Sequence, residues 1–167
     1  SLVIALHPPI SIEIGVWGGK SLIPIALAHK HIGKGKVWAI DPWSQMASIE
    51  GQVNPADKDW WNDQGKHNYA FSEFENNIIK LGLRDTVVIH RFPSNEVEPP
   101  KEIGLLHIDG NHGEQAIRDV ERYAPNVLVG GVVVADDIGW SGGATNKAVE
   151  KSIDIGFEEL YRVKAEN

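Results

Sequence analysis

The 167-residue sequence predicts an α/β fold, a doubly wound three-layer sandwich around a mostly parallel sheet. Three observations predict it. Short runs rich in Val and Ile, of the kind buried on both faces of a sheet, alternate with stretches of helical period. A glycine-rich turn joins the first such run directly to a helix. Four of the runs contain or end on acidic residues, as expected where strand ends face one polar cleft.

The elements follow in order. Residues 10–14 form the first strand and carry Glu13, and the turn Gly15-Val16-Trp17-Gly18-Gly19 comes next. A helix is predicted over 21–31, with Pro24 in the first turn, where a missing N–H costs least. Residues 36–40 form a second strand closed by Asp41. The segment 42–69 is long for a connection and holds Trp43, Trp60, Trp61 and Tyr69. It reads either as a lid or binding loop, or as an insertion whose tryptophans pack into a satellite cluster. A helix over 71–81 sets Phe71, Phe74, Ile78 and Leu81 on one face and stops at Gly82. Strands follow at 86–90 and 105–108, the latter ending on Asp109. A helix over 114–128 gathers Ala116, Ile117, Val120, Tyr123, Ala124 and Val127, with a bend near Pro125. Residues 132–135 form a fifth strand leading to Asp136 and Asp137; a helix over 144–155 and a sixth strand at 160–163 complete the chain. Right-handed crossovers between these strands give the doubly wound arrangement.

The bulk numbers bound the function. The length suits one domain over residues 1–167, and the near-immediate start of the first strand reads as a domain shortened at both ends. A formal net charge of −7 disfavours a nucleic-acid partner. The absence of cysteine removes disulfides and thiolate metal sites and fits a cytoplasmic setting. No apolar run has the length of a membrane span, so no membrane partner is expected.

Three groups of residues carry chemistry. Glu13, Gly15 and Gly18 form a turn in which glycine lets the backbone approach a ligand, ahead of a helix N-terminus. Glycine turns also occur for geometry alone, but Asp41, at the end of the next strand, is of the type that accepts both hydroxyl protons of a ribose. Together they favour a nucleoside ligand. Asp109, Asp136 and Asp137 converge if their strands are neighbours, and a hard divalent cation would relieve their mutual repulsion; the alternative is three separately solvated strand ends. His112, three residues beyond Asp109, is a candidate general base or a helix-capping residue. His107 reads as a packed core histidine.

Together these residues resemble the class I S-adenosylmethionine-dependent methyltransferases, over nearly the whole chain. Glu13-Ile-Gly-Val-Trp-Gly-Gly is similar to the motif that cradles the methionine part of the cofactor. The resemblance implies that Asp41 holds the ribose and that Ser94 falls near the adenine. Asp109, Asp136 and Asp137 resemble the metal ligands of the cation-dependent O-methyltransferases, in particular a bacterial group found beside sugar and natural-product biosynthesis. The implied activity is methyl transfer to a hydroxyl of a small acceptor with Mg²⁺ or another divalent cation, in a possible homo-oligomer. In such enzymes of the catechol type a lysine stands where His112 stands here. The family's seventh, antiparallel strand has no counterpart. The alternatives are a non-catalytic nucleoside-binding domain and, less favoured because Glu13 sits inside the turn, an NAD-dependent oxidoreductase.

Overall fold

The computed structural model describes residues 1–51, 54–139 and 143–163. Five strands, β1 (Ile10–Ile14), β2 (Lys36–Ile40), β3 (Val87–His90), β4 (Ile103–Ile108) and β5 (Val127–Ala135), form one parallel sheet in the order β3-β2-β1-β4-β5. The chain steps outward from β1 to β3, then returns to lay β4 beside β1. That reversal opens a crevice outside the carboxyl ends of β1 and β4, the place where open parallel sheets take ligands.

The two central strands are the most buried. Every residue of β4 is buried, as is every residue of β1 after Ile10. Their alternation separates two chemistries. Ile12, Ile14, Leu106 and Ile108 join Ala116, Val120 and Tyr123 of helix α6 (Glu114–Tyr123) in one core cluster. The other face of β1 carries Ser11 and Glu13, which are satisfied from helix α2 (Leu22–Ile32) and its approach. Ser11 Oγ lies 2.8 Å from His29 Nε2, and the Ser21 hydroxyl donates to Glu13 Oε1 at 2.9 Å. A second apolar cluster ties α2 to β2 and to helix α5 (Gln64–Lys80) through Leu22, Ala26, Val37, Ala39, Phe74 and Ile78. A short helix α1 (Leu2–Leu6), which the sequence pattern did not reveal, packs Val3 against Ala28 and Leu105. No helix among the described residues is long and apolar enough to cross a membrane.

The expected elements are displaced in three places. The described part of segment 42–69, which leaves out residues 52–53, is mostly helical: α3 (Gln45–Ile49), α4 (Pro55–Trp61) and the first turns of α5. Asn54 caps α4 by accepting from Ala56 N, and Asp63 caps α5 by accepting from Gly65 N and Lys66 N. Helix α5 therefore begins seven residues before the predicted 71. Helix α6 ends at Tyr123 rather than at 128, because a 3₁₀ turn over Ala124–Asn126 takes up Pro125. Strand β5 then starts at Val127, five residues before the predicted 132. It pairs Val127 with Ile103 and Val132 with Leu105, so residues 128–131 bulge outward around Gly130 (φ 81°), leaving Val129 fully exposed. The predicted sixth strand at 160–163 is absent. Leu160, Tyr161 and Val163 are exposed, and apolar composition makes no strand without a neighbour to pair with.

Helix α7 (Ala144–Asp154) packs against α6 and brings Thr145 and Ala148 to the end of β5.

Candidate active site

The glycine turn is shaped by what it touches. Gly15 has φ 86°, and a Cβ there would stand 2.1 Å from the carbonyl oxygen of Asp109. Only glycine lets the end of β1 lie against the end of β4 so closely. Gly18 differs: nothing lies within 4 Å of where its Cβ would be, so this part of the turn faces open space. That open, Cβ-free surface ahead of α2 fits a nucleoside cofactor approaching the backbone.

Asp41 stitches the turn to β2. Its Oδ2 accepts from the amides of Val16 and Trp17, both at 2.9 Å, and its Oδ1 from Trp43 N at 2.6 Å. Burial raises its pKa, and these three N–H bonds oppose the rise. A carboxylate offers about four acceptor positions. Three are taken, so one acceptor position of Asp41 remains.

Glu13 lies behind the cleft rather than in it. It is 0 % exposed, bonded to Ser21 on one oxygen and 3.1 Å from His107 Nδ1 on the other. Glu13 and His107 are register partners on β1 and β4. Burial alone would lower the His107 pKa, but the hydrogen bond to Glu13 and its charge, with the charges of Asp109 and Asp136, outweigh burial and raise it. His107 is therefore a core histidine, as expected, but one paired with a residue of the cofactor turn. Two strands each carrying a titratable residue just short of the carboxyl end were the only trace of this pair in the sequence.

The opposite side of the crevice gathers acids. Asp136 N donates to Ile108 O at 3.0 Å, which sets the ends of β4 and β5 side by side. Asp109 is pushed up to about 7 by burial and by the charge of Asp136; His107 opposes the rise and Asp137 adds to it. The three aspartates do not form a single ligand set among the described residues. Two sets share Asp109: one adds His107 and Asp136, the other His112 and Asp137, each with donor atoms within 4.8 Å of one another. The separation follows from Asp137, which has φ 49° and donates its amide to Asp136 Oδ1. Its Oδ2 stands 2.9 Å from His112 Nε2. A carboxylate crowded enough to hold a proton near neutral pH, with other carboxylates and imidazoles beside it, fits a divalent cation.

Other predicted residues have different settings. Ser94 is buried; its hydroxyl donates to Asp119 Oδ1 at 2.6 Å, and its carbonyl accepts from Tyr123 OH. Its side chain and its carbonyl both serve α6 and the turn before β4. The tryptophan-rich segment is chiefly packing. Trp43 is 1 % exposed, stacks on Phe74 and donates its indole N–H to Trp17 O. Trp61 and His67 meet Trp17 edge-on, and Trp60 stays half exposed beside it. The same segment is strapped across the crevice: Asn111, two residues past Asp109, donates to the carbonyls of Ala47 and Glu50. Thr145, unforeseen in the sequence, lines the cleft with Asp109, His112 and Asp136; it is 5 % exposed, and its Oγ1 has no hydrogen-bond partner among the described residues.

Known proteins share this architecture. No curated protein matches the chain in sequence. The O-methyltransferase NovP superposes with a TM-score of 0.68 at 22% identity, over 93% of this chain and 69% of its own. CalS11, a TDP-rhamnose 3'-O-methyltransferase of calicheamicin biosynthesis, gives 0.59 at 16% identity over 98% and 71%. An rRNA methylase from Streptococcus thermophilus gives 0.58 at 13% identity over 99% and 84%. At these identities the likeness is one of fold. In sequence, residues 12–138 match the methyltransferase domain family, from inside β1 to just beyond Asp137. The chain belongs to that family, with the Rossmann-like fold of the class I S-adenosylmethionine-dependent methyltransferases.

Proposed function

We propose that the chain transfers a methyl group from S-adenosylmethionine to a hydroxyl of a small acceptor, a sugar or natural product, with the help of a divalent cation. The observation that carries this reading is the crowding at Asp109, raised to about 7 by burial and by Asp136 on the cleft side of the glycine turn. Methyl transfer to carbon or to an amine does not call for such a cluster, whereas a hydroxyl must be acidified before it attacks. The bound cofactor supplies an electrophilic sulfonium methyl, and the bound cation lowers the pKa of the acceptor hydroxyl.

The chain's own residues bind and orient. Gly15 and Gly18 give the cofactor backbone to lie on, and Asp41 offers its remaining acceptor position to a ribose hydroxyl. Glu13, held by Ser21 and His107, stiffens the turn from behind. Asp109 touches both halves: its carbonyl abuts Gly15 while its carboxylate belongs to both candidate ligand sets. Such fixed positions favour near-attack geometry. His112 and the carboxylates are the groups at this edge able to take the hydroxyl proton or to hold the cation. NovP and CalS11 act as O-methyltransferases on the same fold, which supports oxygen as the acceptor atom.

Titration calorimetry with S-adenosylhomocysteine, with and without Mg²⁺ or Mn²⁺ and with NAD⁺ as control, tests the reading. Micromolar binding of the homocysteine compound and none of NAD⁺ is expected. A folded chain that binds NAD⁺ instead, or neither compound, removes it.

A further inference from the structure

We infer that His112 is a ligand of the cation, in one set with Asp109 and Asp137, and that the cation is consequently of the Mn²⁺, Co²⁺ or Zn²⁺ class rather than Mg²⁺. The inference rests on the cation-assisted reading above and changes the role of the one histidine at its edge.

The geometry points there from three sides. The donor atoms of Asp109, His112 and Asp137 lie within 4.8 Å of one another, with His112 Nε2 at 2.9 Å from Asp137 Oδ2. Adjacent ligands at bonds of about 2.1 Å stand about 3 Å apart in an octahedral shell, so this pair already has the spacing of two neighbouring ligands. The left-handed backbone of Asp137, with its amide bonded to Asp136 Oδ1, places its carboxylate with His112 rather than in a set with Asp136. Thr145 adds an independent observation: a buried hydroxyl with no partner among the described residues lines the same cleft as Asp109 and His112. A water or acceptor oxygen held by the cation would give it one. The rival set through His107 is less suited, because His107 does not line the cleft that holds Thr145, whereas His112 does.

The donor chemistry then selects the metal. Mg²⁺ takes oxygen ligands and keeps its waters, whereas imidazole nitrogen suits Mn²⁺ weakly and Fe²⁺, Co²⁺ and Zn²⁺ well. A nitrogen bonded to the cation is neutral and has no lone pair left for a proton, so Nε2 is withdrawn from the role of general base.

Pulsed EPR of Mn²⁺ added to the full chain with S-adenosylhomocysteine tests this without any acceptor. We expect ¹⁴N modulation from a directly bound imidazole, lost in H112A and kept in H107Q, and Mn²⁺ binding at least tenfold tighter than Mg²⁺. Circular dichroism confirms that each variant is folded, and T145V provides a second variant in the same cleft that should keep the modulation. Bound Mn²⁺ without ¹⁴N modulation, or with modulation that survives H112A, overturns His112 as a ligand and leaves cation assistance standing. A folded wild-type chain that binds no Mn²⁺ overturns both.

Discussion

At the carboxyl ends of β1 and β2 a single carboxylate, Asp41, serves three backbone amides. At the ends of β4 and β5 three carboxylates crowd together, and one of them holds its proton up to about pH 7. The first region is satisfied from within; the second is left with repulsion that only a proton or a cation relieves. The difference separates scaffold from candidate reactive surface: the turn keeps its shape without a ligand, while the acid edge keeps a repulsion that a bound cation would relieve.

The largest effect is expected where the two regions touch. Gly15→Ala forces a Cβ onto the Asp109 carbonyl at a left-handed φ and should cost about 3 kcal/mol or more, read as a fall in urea midpoint or as failure to fold. Gly18→Ala, in open space, should change stability by less than about 0.5 kcal/mol yet weaken S-adenosylhomocysteine binding. Next comes Asp41→Ala, which strips three amides of their acceptor and should cost about 2–4 kcal/mol. A urea titration showing a loss below about 1 kcal/mol would mean that the scaffold region is not built on Asp41.

The acid edge should respond in the opposite direction. Asp109→Asn should stabilise the cation-free protein by roughly 1–2 kcal/mol, after allowing for solvent screening of a partly exposed group, while reducing cation affinity at least tenfold. The sign follows from linkage. A native pKa of about 7 against an ordinary 3.8 means that the folded state binds the proton more readily, so Asp109 lowers stability above pH 7. The cost fades as pH falls from about 7 towards 4. The gap in Tm between the variant and the wild type, without cation, should therefore be widest near pH 8 and narrow by pH 5. A smaller effect than that of Asp109→Asn is expected from Thr145→Val, which removes a buried hydroxyl with no partner among the described residues and should leave stability unchanged or raise it by about 1 kcal/mol.

The same contrast separates what sequence could reveal from what it could not. The five strands were readable because parallel strands buried on both faces need unbroken Val and Ile runs, and the glycine turn because Gly15 has no substitute. Caps such as Asn54 and Asp63 were written in the sequence too, but α4 and the first turns of α5 lack an apolar period strong enough to show. What depends on neighbours was hidden. Glu13 meets His107 only because β4 returns beside β1. Asp137 leaves the aspartate trio because of one backbone angle, which its residue type does not announce. Ser94 turns to Asp119 only once α6 has packed. The apolar run at 160–163 misled because composition says nothing about whether a pairing edge is within reach.

The contact of Gly15 with Asp109 also bears on how the chain acquires its fold. The turn is not a local product of its own strand and helix, since its glycine rests on a residue 94 positions away and Glu13 is bonded to another at the same separation. Bringing such distant segments together costs loop-closure entropy on the order of 4 kcal/mol before any contact rewards it. The β1–β2–β3 portion thus emerges from the ribosome with its turn held by Asp41 but without the Asp109 and His107 contacts that β4 brings. A cofactor present during synthesis would meet an incomplete site until that strand arrives.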